Sequence, residues 1–406
     1  MKSFPQSPCP GLWERLYEVE NMKKFQKFMS YVVVAVLASL VTLAVNHTPA
    51  QPQTQSKLDQ LEQLILDKFI GEADKTEMED AAAHAMVEAL GDRWSYYIPA
   101  DQYQDYLDQA ANSYVGIGVT IQVTEDESGF LITKVNEGGP ADQAGLLPGD
   151  IFVAVDGIDV RGWVINDTSA LVKGEENTTV DITVLRDGEE LTLTVTRMRV
   201  EVPVATAKML EGNIGLVTIV NFDDRCASES IAAMESLLAQ GAEKLIFDVR
   251  NNPGGYVHEL CAVLDYILPK GDLFRSVDYR GREQLEVSDD KCIQGIPMAV
   301  LINGESYSAA EFFAAALREY DYALIVGEPT VGKGYFQQTT RLKDGSAVGL
   351  SMGKYFTPQG VSLAEAGGLT PDVVVEVDED TFMAIYSGTL DPMTDPQVLA
   401  AIEALK

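Results

Sequence analysis

Histidine is scarce. The 406 residues include three, His47, His84 and His258, which leaves few candidates for an imidazole base and no histidine cluster with metal-ligand spacing. The four cysteines, Cys9, Cys226, Cys261 and Cys292, form no C-x-x-C pair, so neither a structural zinc nor a disulfide framework is expected. Positive charge is short as well. The 30 Lys and Arg stand against 62 Asp and Glu, a net charge of −32, and a surface of that sign repels phosphate, so nucleic acid is excluded as a partner. Nucleotide-binding fingerprints fail on inspection. Gly116-Ile-Gly-Val lacks the third glycine and the following helix of a dinucleotide loop. Gly327-Glu-Pro-Thr-Val-Gly-Lys333 matches a P-loop up to the lysine, but Gly334 stands where a Ser or Thr must hold magnesium. No metal or other cofactor is expected.

Long apolar runs are confined to one, Met29 to Val45, which carries no charge and comes after Lys23, Lys24 and Lys27. Its length lies at the short edge of a membrane span and is long for the core of a cleaved signal. The preceding lysines predict residues 1–28 in the cytoplasm and the rest outside. Residues 29–45 are therefore expected to be an uncleaved transmembrane signal anchor and 46–54 a polar linker. Met22-Lys-Lys opens like an ordinary signal sequence, which makes Met22 an alternative start.

Beyond residue 54 the chain is α/β and β-rich and long enough for several domains. Residues 55–112 read as a helical module, with Leu58, Leu61, Leu64, Ile65 and Phe69 at three-to-four spacing and a second stripe through Ala82, Met86, Val87 and Leu90. Residues 113–200 turn to short β runs, with hairpin signals at Asp156-Gly157 and Asp187-Gly188. From 201 to 380 apolar strands such as Lys244–Val249 and Met298–Ile302 alternate with helices, the texture of an α/β core. Residues 381–406 read as a C-terminal helical tail. The helical module and the helix near Pro396–Leu405 are surfaces suited to a homodimer.

Three segments carry chemistry. Asn303-Gly-Glu-Ser-Tyr-Ser308-Ala-Ala-Glu311 fits a capping box, with Ser308 at the N-cap and Glu311 at N3. It fits equally a nucleophile beside Ala309 and Ala310, small enough to admit a substrate carbonyl, at a helix end whose N–H groups favour an oxyanion. A serine hydroxyl needs a base. With histidine scarce, Lys333 in Gly332-Lys-Gly-Tyr-Phe-Gln337 is the alternative to His258. As a base its pKa must fall from about 10.4 toward 7, roughly 4 kcal/mol, which burial can supply. Gln337 is expected to share a strand face with Lys333 and to orient its amine. Phe247-Asp-Val-Arg-Asn-Asn-Pro-Gly-Gly255 runs a strand into a glycine turn, where the N–H of Gly254 or Gly255, paired with that of Ala309, would make an oxyanion hole.

Gly139-Pro-Ala-Asp-Gln-Ala-Gly-Leu-Leu-Pro-Gly-Asp-Ile, after Tyr114-Val-Gly-Ile-Gly-Val119 and before Val-Ala-Val-Asp-Gly157, closely resembles a PDZ domain. That resemblance implies capture of a peptide's C-terminal tail by strand addition beside Gly116, Ile117, Gly118 and Val119. From about residue 55 to 375 the chain resembles the C-terminal processing peptidases, or tail-specific proteases. The resemblance is carried by Leu90-Gly-Asp-Arg-Trp-Ser-Tyr-Tyr-Ile-Pro, Asp248-Val-Arg-Asn-Asn-Pro-Gly-Gly, Ser306-Tyr-Ser-Ala-Ala-Glu, Gly327-Glu-Pro-Thr-Val-Gly-Lys-Gly-Tyr-Phe-Gln and Lys354-Tyr-Phe-Thr-Pro-Gln-Gly with Leu369-Thr-Pro-Asp. It implies Ser308 as nucleophile, Lys333 as base and Gln337 as its support. The expected function is a membrane-anchored serine endopeptidase acting on extracytoplasmic proteins through their C-terminal tails. The rival is a catalytically silent PDZ adaptor with a protease-like body. Two departures from the family pattern stand at the nucleophile, where Tyr307 replaces a small residue and Ala310 a serine.

Overall fold

The computed structural model describes residues 27, 29, 30, 56–124, 126–289 and 291–406. Apart from Lys27, Met29 and Ser30, the expected cytoplasmic tail, anchor and linker lie outside the described residues. Among the described residues no helix is long and apolar enough to cross a membrane.

The chain divides into two compact units, residues 1–79 and 80–406. The first contains α1 (Lys57–Lys68) and the start of α2 (Lys75–Glu88). Ser56 and Asp59 close α1 reciprocally: the Ser56 hydroxyl accepts from the Asp59 N–H, and the Asp59 carboxylate accepts from the Ser56 N–H at 2.9 Å. The leucine stripe of α1 stays uncovered, with Leu58, Leu61 and Leu64 exposed and no residue of the helix buried. Periodicity signals the helix correctly, but not what its face packs on.

In the second unit β1 (Tyr96–Ile98), α3 (Tyr103–Ala110) and β2 (Ser113–Gly116) precede a β-rich domain. That domain comprises β3 (Val119–Val123), β4 (Phe130–Val135), α4 (Pro140–Ala144), β5 (Ile151–Val155), β6 (Ile158–Asp159), α5 (Ile165–Val172), β7 (Thr179–Arg186) and β8 (Glu189–Thr196). Its strands form one sheet in the order β3-β4-β5-β7-β8, with β6 on β5, so β3 is an edge strand. Both predicted hairpin turns have positive φ at each central residue, 48° and 78° at Asp156-Gly157 and 51° and 86° at Asp187-Gly188, as type I′ turns require. β9 (Met198–Glu201) leaves the domain and pairs antiparallel with β2. Entry and exit thus run side by side.

The α/β core contains β10 (Ala205–Leu210), β11 (Ile214–Ile219), α6 (Cys226–Ala239), β12 (Lys244–Asp248), α7 (Val257–Ile267), β13 (Asp272–Asp278), β14 (Glu283–Val287), β15 (Met298–Ile302), α8 (Ala309–Glu319), β16 (Ala323–Gly327), β17 (Tyr335–Arg341), β18 (Ala347–Phe356), α9 (Leu363–Ala366), β19 (Val373–Val374), α10 (Glu379–Tyr386) and α11 (Pro396–Ala404). One six-stranded sheet has the order β10-β11-β12-β15-β16-β19. It is parallel from β11 onward, with β10 antiparallel at the edge. Apolar runs such as Met298–Ile302, buried at every position, are what a parallel strand covered on both faces needs. Leu245 and Phe247 pack with α6, α7 and α8, whereas Ile246 between them packs with Val398, Ala401 and Leu405 of α11 and its C-cap.

Two features depart from the expectations. First, a second, antiparallel sheet in the order β1-β18-β13-β14, with β17 on β18, stands beside the parallel one. Within the stretch 55–112 read as helical, Tyr96–Ile98 supplies its β1 through Tyr96↔Gly349 pairing. Second, the C-terminal helix has one covered face: Gln397, Val398 and Ala401 of α11 are buried, and Val398 and Ala401 pack with Ile246 and Leu301 on the back of the parallel sheet. Its N-cap Asp395, almost fully buried, lies 2.8 Å from the Arg250 guanidinium, and Gln397 accepts from the same group at 2.9 Å. Asp248 grips the other side of that guanidinium through two contacts of 2.8 and 2.6 Å. The chain end is therefore tied to the turn that opens at Arg250. Asp395→Ala leaves a buried guanidinium half-compensated and should cost about 3 kcal/mol, read as a lower urea midpoint; an unchanged midpoint would show that the tie is idle.

Candidate active site

Ser308 sits on a turn that few side chains tolerate. It occupies the N-cap of α8 at φ 58°, ψ −125°, a conformation a non-glycine residue holds only when its surroundings impose it. The surroundings are a lattice of hydrogen bonds between the segments 249–254 and 303–308. Asn251 and Asn303 exchange bonds of 2.9 and 2.8 Å, the Ser306 hydroxyl donates to the Val249 carbonyl at 2.7 Å, and the Tyr307 N–H donates to the Asn252 carbonyl at 3.1 Å. Gly254, at φ 90°, lies so close that a Cβ there would stand 2.6 Å from the Ser308 Cβ and 2.8 Å from the Ala309 nitrogen. Only glycine fits both the dihedral and the gap.

Glu311 is the hub. Its carboxylate, fully buried, accepts from the Ser308 N–H at 2.9 Å, the Lys333 N–H at 2.9 Å, the Gly332 N–H at 2.7 Å and the Thr330 hydroxyl. Burial pushes its pKa up, and these four donors pull it back down without fully offsetting the effect. The capping-box reading is therefore right about the Ser308–Glu311 bond and incomplete about its reach. The same carboxylate also holds the loop that carries Lys333, a partnership that the Ser-x-x-Glu pattern could hint at but not locate.

Ser308, Lys333, Gly254, Gly255, Tyr307 and Gln337 line one cleft of about 1070 Å³. In it the Ser308 hydroxyl is paired at 2.8 Å with the Tyr355 hydroxyl. Tyr355 is buried against Phe274, Phe312 and Phe336, and burial holds its phenol far above the ordinary value. It thus stays protonated as a hydrogen-bonding partner; sequence reasoning missed it. The Lys333 amine stands over two aromatic rings, 4.9 Å from the Trp94 centroid and 5.6 Å from that of Tyr307. Burial lowers its pKa to about 8, against the opposing charges of Glu311 and Asp92. Among the described residues, no hydrogen bond joins it to Ser308.

Two expectations need correction, Gln337 and Gly254, and the disfavoured base His258 is placed as well. Gln337 does not reach Lys333: its amide donates to the Tyr335 carbonyl and to the Ser351 hydroxyl, at 3.2 and 3.1 Å. Lys333 lies before β17 begins at Tyr335, so strand alternation does not run from Gln337 back to it, and Gln337 is turned to Ser351, its register partner on β18. The Gly254 N–H already donates to the Asn252 side chain at 2.8 Å, which leaves Gly255 and Ala309 as the donors of the expected pair. His258 is exposed, stacks on Tyr256 and lies 3.6 Å from Asp224, with no contact to Ser308 among the described residues. In the β-rich domain, Gly116 belongs to β2 opposite Met198, Ile117 is a core residue, Gly118 has φ 74° and Val119 begins the edge strand β3.

Two family models match the chain: peptidase family S41 over residues 213–375 and the PDZ domain over 131–186. The carboxy-terminal processing protease CtpA of Bacillus subtilis is 31% identical over 326 residues, covering 80% of this chain and 69% of that protein. A probable CtpA-like serine protease of Staphylococcus aureus is 28% identical over 337 residues, 82% of this chain and 67% of the relative. Among solved structures, a photosystem II D1 C-terminal processing protease is 28% identical with a TM-score of 0.46, covering 79% of this chain and 87% of that one. The chain belongs to peptidase family S41 and is a serine-type C-terminal processing peptidase with a PDZ domain.

Two substitutions test the clamp. Glu311→Ala orphans four buried donors and should destabilise the fold by about 3 kcal/mol or more, read by thermal melting. Gly254→Ala should abolish cleavage while the melt shifts less than for Glu311→Ala, since the clash falls on the Ser308 turn; wild-type cleavage rates in Gly254→Ala would refute the close-contact argument.

Proposed function

We propose that Ser308 is the nucleophile and Lys333 the general base of an endopeptidase that cleaves proteins whose C-terminal tails its PDZ domain has captured. The observation that carries this reading is the shared cleft, which joins a serine on a strained helix-end turn to a half-buried lysine whose pKa falls to about 8. The neutral Lys333 amine takes the Ser308 hydroxyl proton as Oγ bonds to the scissile carbonyl carbon. The N–H groups of Gly255 and Ala309 receive the oxyanion. Collapse breaks the C–N bond, with the proton passing from Lys333 to the leaving amine, and water then resolves the acyl-enzyme by the same transfers in reverse. For this to happen the amine must come within hydrogen-bond reach of the Ser308 hydroxyl, and Ser308 must turn from Tyr355, within the one cleft. Gln337 supports the amine in this reading only through its bond to Ser351, which also bonds Asp92.

Tail capture is supported by the edge position of β3, the left-handed Gly118 and the neighbouring α5, the elements that strand addition to a sheet edge uses. We place the catalytic region outside the cytoplasmic membrane, anchored by residues 29–45, on the charge asymmetry of that segment alone.

An unstructured protein with an apolar C-terminal tail is the test substrate. Wild type should cleave it, and Ser308→Ala and Lys333→Ala should not, while both variants still bind the tail. Cleavage retained in either variant overturns the dyad, and no cleavage by wild type returns the adaptor reading. Because the base works only when neutral, kcat/KM should rise with pH through about 8; a profile flat from pH 6 to 9 would refute a lysine base.

A further inference from the structure

Trp94 and Tyr307 have no place in any of the hydrophobic clusters that make up the core, so core packing does not explain them. Their rings contact each other with centroids 5.8 Å apart, and the Lys333 amine lies within cation–π range of both. Trp94 is also part of the wall of a second cavity of about 800 Å³, together with Asp92, Arg93 and Ser351. The turn that carries it is built rather than loose. The Asp92 carboxylate accepts from the Trp94 N–H at 3.2 Å and from the Ser95 hydroxyl at 2.6 Å, and the Ser95 oxygen accepts from the Ser351 N–H at 3.1 Å. Ser351 is in turn the partner of Gln337. The ring is thus wired to the strand just beyond Lys333.

We propose that Trp94 and Tyr307 are positioning residues that form a two-ring seat for the Lys333 amine, shielding it from water. This rests on the reading of Lys333 as the base. A ring seat has two opposing effects on a lysine. Its face attracts the ammonium, worth about 0.5–2 kcal/mol, and its bulk excludes the water that solvates the charge. With the pKa at about 8, exclusion of water wins. The charged groups about the amine are Glu311 from α8, whose carboxylate also takes the Lys333 N–H, and Asp92 and Arg93 from the turn, with the Arg93 guanidinium carbon 4.4 Å from the Trp94 centroid. Lys354, the cation on nearby β18, is turned toward Glu365 at 3.6 Å. Opening the seat therefore lets water reach the amine and returns Lys333 toward the ordinary lysine value.

The experiment uses the full chain with lysine labelled by carbon-13 at Cε, the Lys333 signal being identified by its loss in Lys333→Ala. Titration from pH 6 to 11 reads the amine directly, independently of cleavage. Trp94→Ala with Tyr307→Ala should raise the midpoint by about one unit or more, and at pH 7 each unit lowers kcat/KM about tenfold. Tyr307→Phe keeps the ring and should keep the wild-type midpoint. An unmoved or lower midpoint in the double variant overturns the seat, as does a Tyr307→Phe midpoint equal to that of the double variant. A raised midpoint alongside undiminished cleavage by Lys333→Ala leaves the seat standing and removes the base reading instead.

Discussion

A single carboxylate holds the Ser308 turn and the Lys333 loop together. Glu311 takes the backbone N–H of Ser308 and that of Lys333 on one oxygen, and Gly332 and Thr330 on the other. Burying a carboxylate is costly unless hydrogen bonds replace its water, and four donors do so here. Because all four come from the Ser308 turn and the Lys333 loop, neither segment can shift without leaving a donor or the charge unsatisfied. The strain at Ser308 persists for the same reason: the turn is determined from several sides, by Glu311, by the Asn251–Asn303 exchange and by the contact with Gly254.

Around this clamp the two sheets divide the work. The parallel sheet carries the serine turn and the glycine turn at the carboxyl ends of β12 and β15, where α/β sheets ordinarily present their sites. The antiparallel sheet carries Tyr355 and Gln337, and the turn before its β1 brings in Trp94. Closure of the parallel sheet from behind by α11 reaches the site as well, through the buried Arg250 bridge between Asp395 and Asp248. Ser308 is paired with Tyr355 and the Lys333 amine with two aromatic rings, so the proposed chemistry would begin with a local rearrangement of side chains.

Elements with a clean local signal were legible from the residues. Strands such as Met298–Ile302 and helices such as Val257–Ile267 declared themselves by apolar continuity or periodicity, and the Asp-Gly hairpins by their need for positive φ. The second sheet was not, because β13 and β14 are joined to β18 and β1 only by long-range pairing and their own patterning is weak. Gln337 was misjudged for a related reason. Alternation along a strand is a local rule, and it stops short of Lys333, which lies in the loop before β17.

The order of residues alone determined which groups could act: a serine at a helix start, a lysine between glycines, an acid three residues on, and almost no histidine to compete. Those are matters of side-chain chemistry and helix-end geometry, and both are local. Tertiary structure decided who meets whom. That Glu311 reaches the base loop, that Tyr355 meets Ser308 and that Trp94 and Tyr307 seat Lys333 all depend on contacts between distant segments, where packing and burial, not neighbouring residues, set partner and pKa.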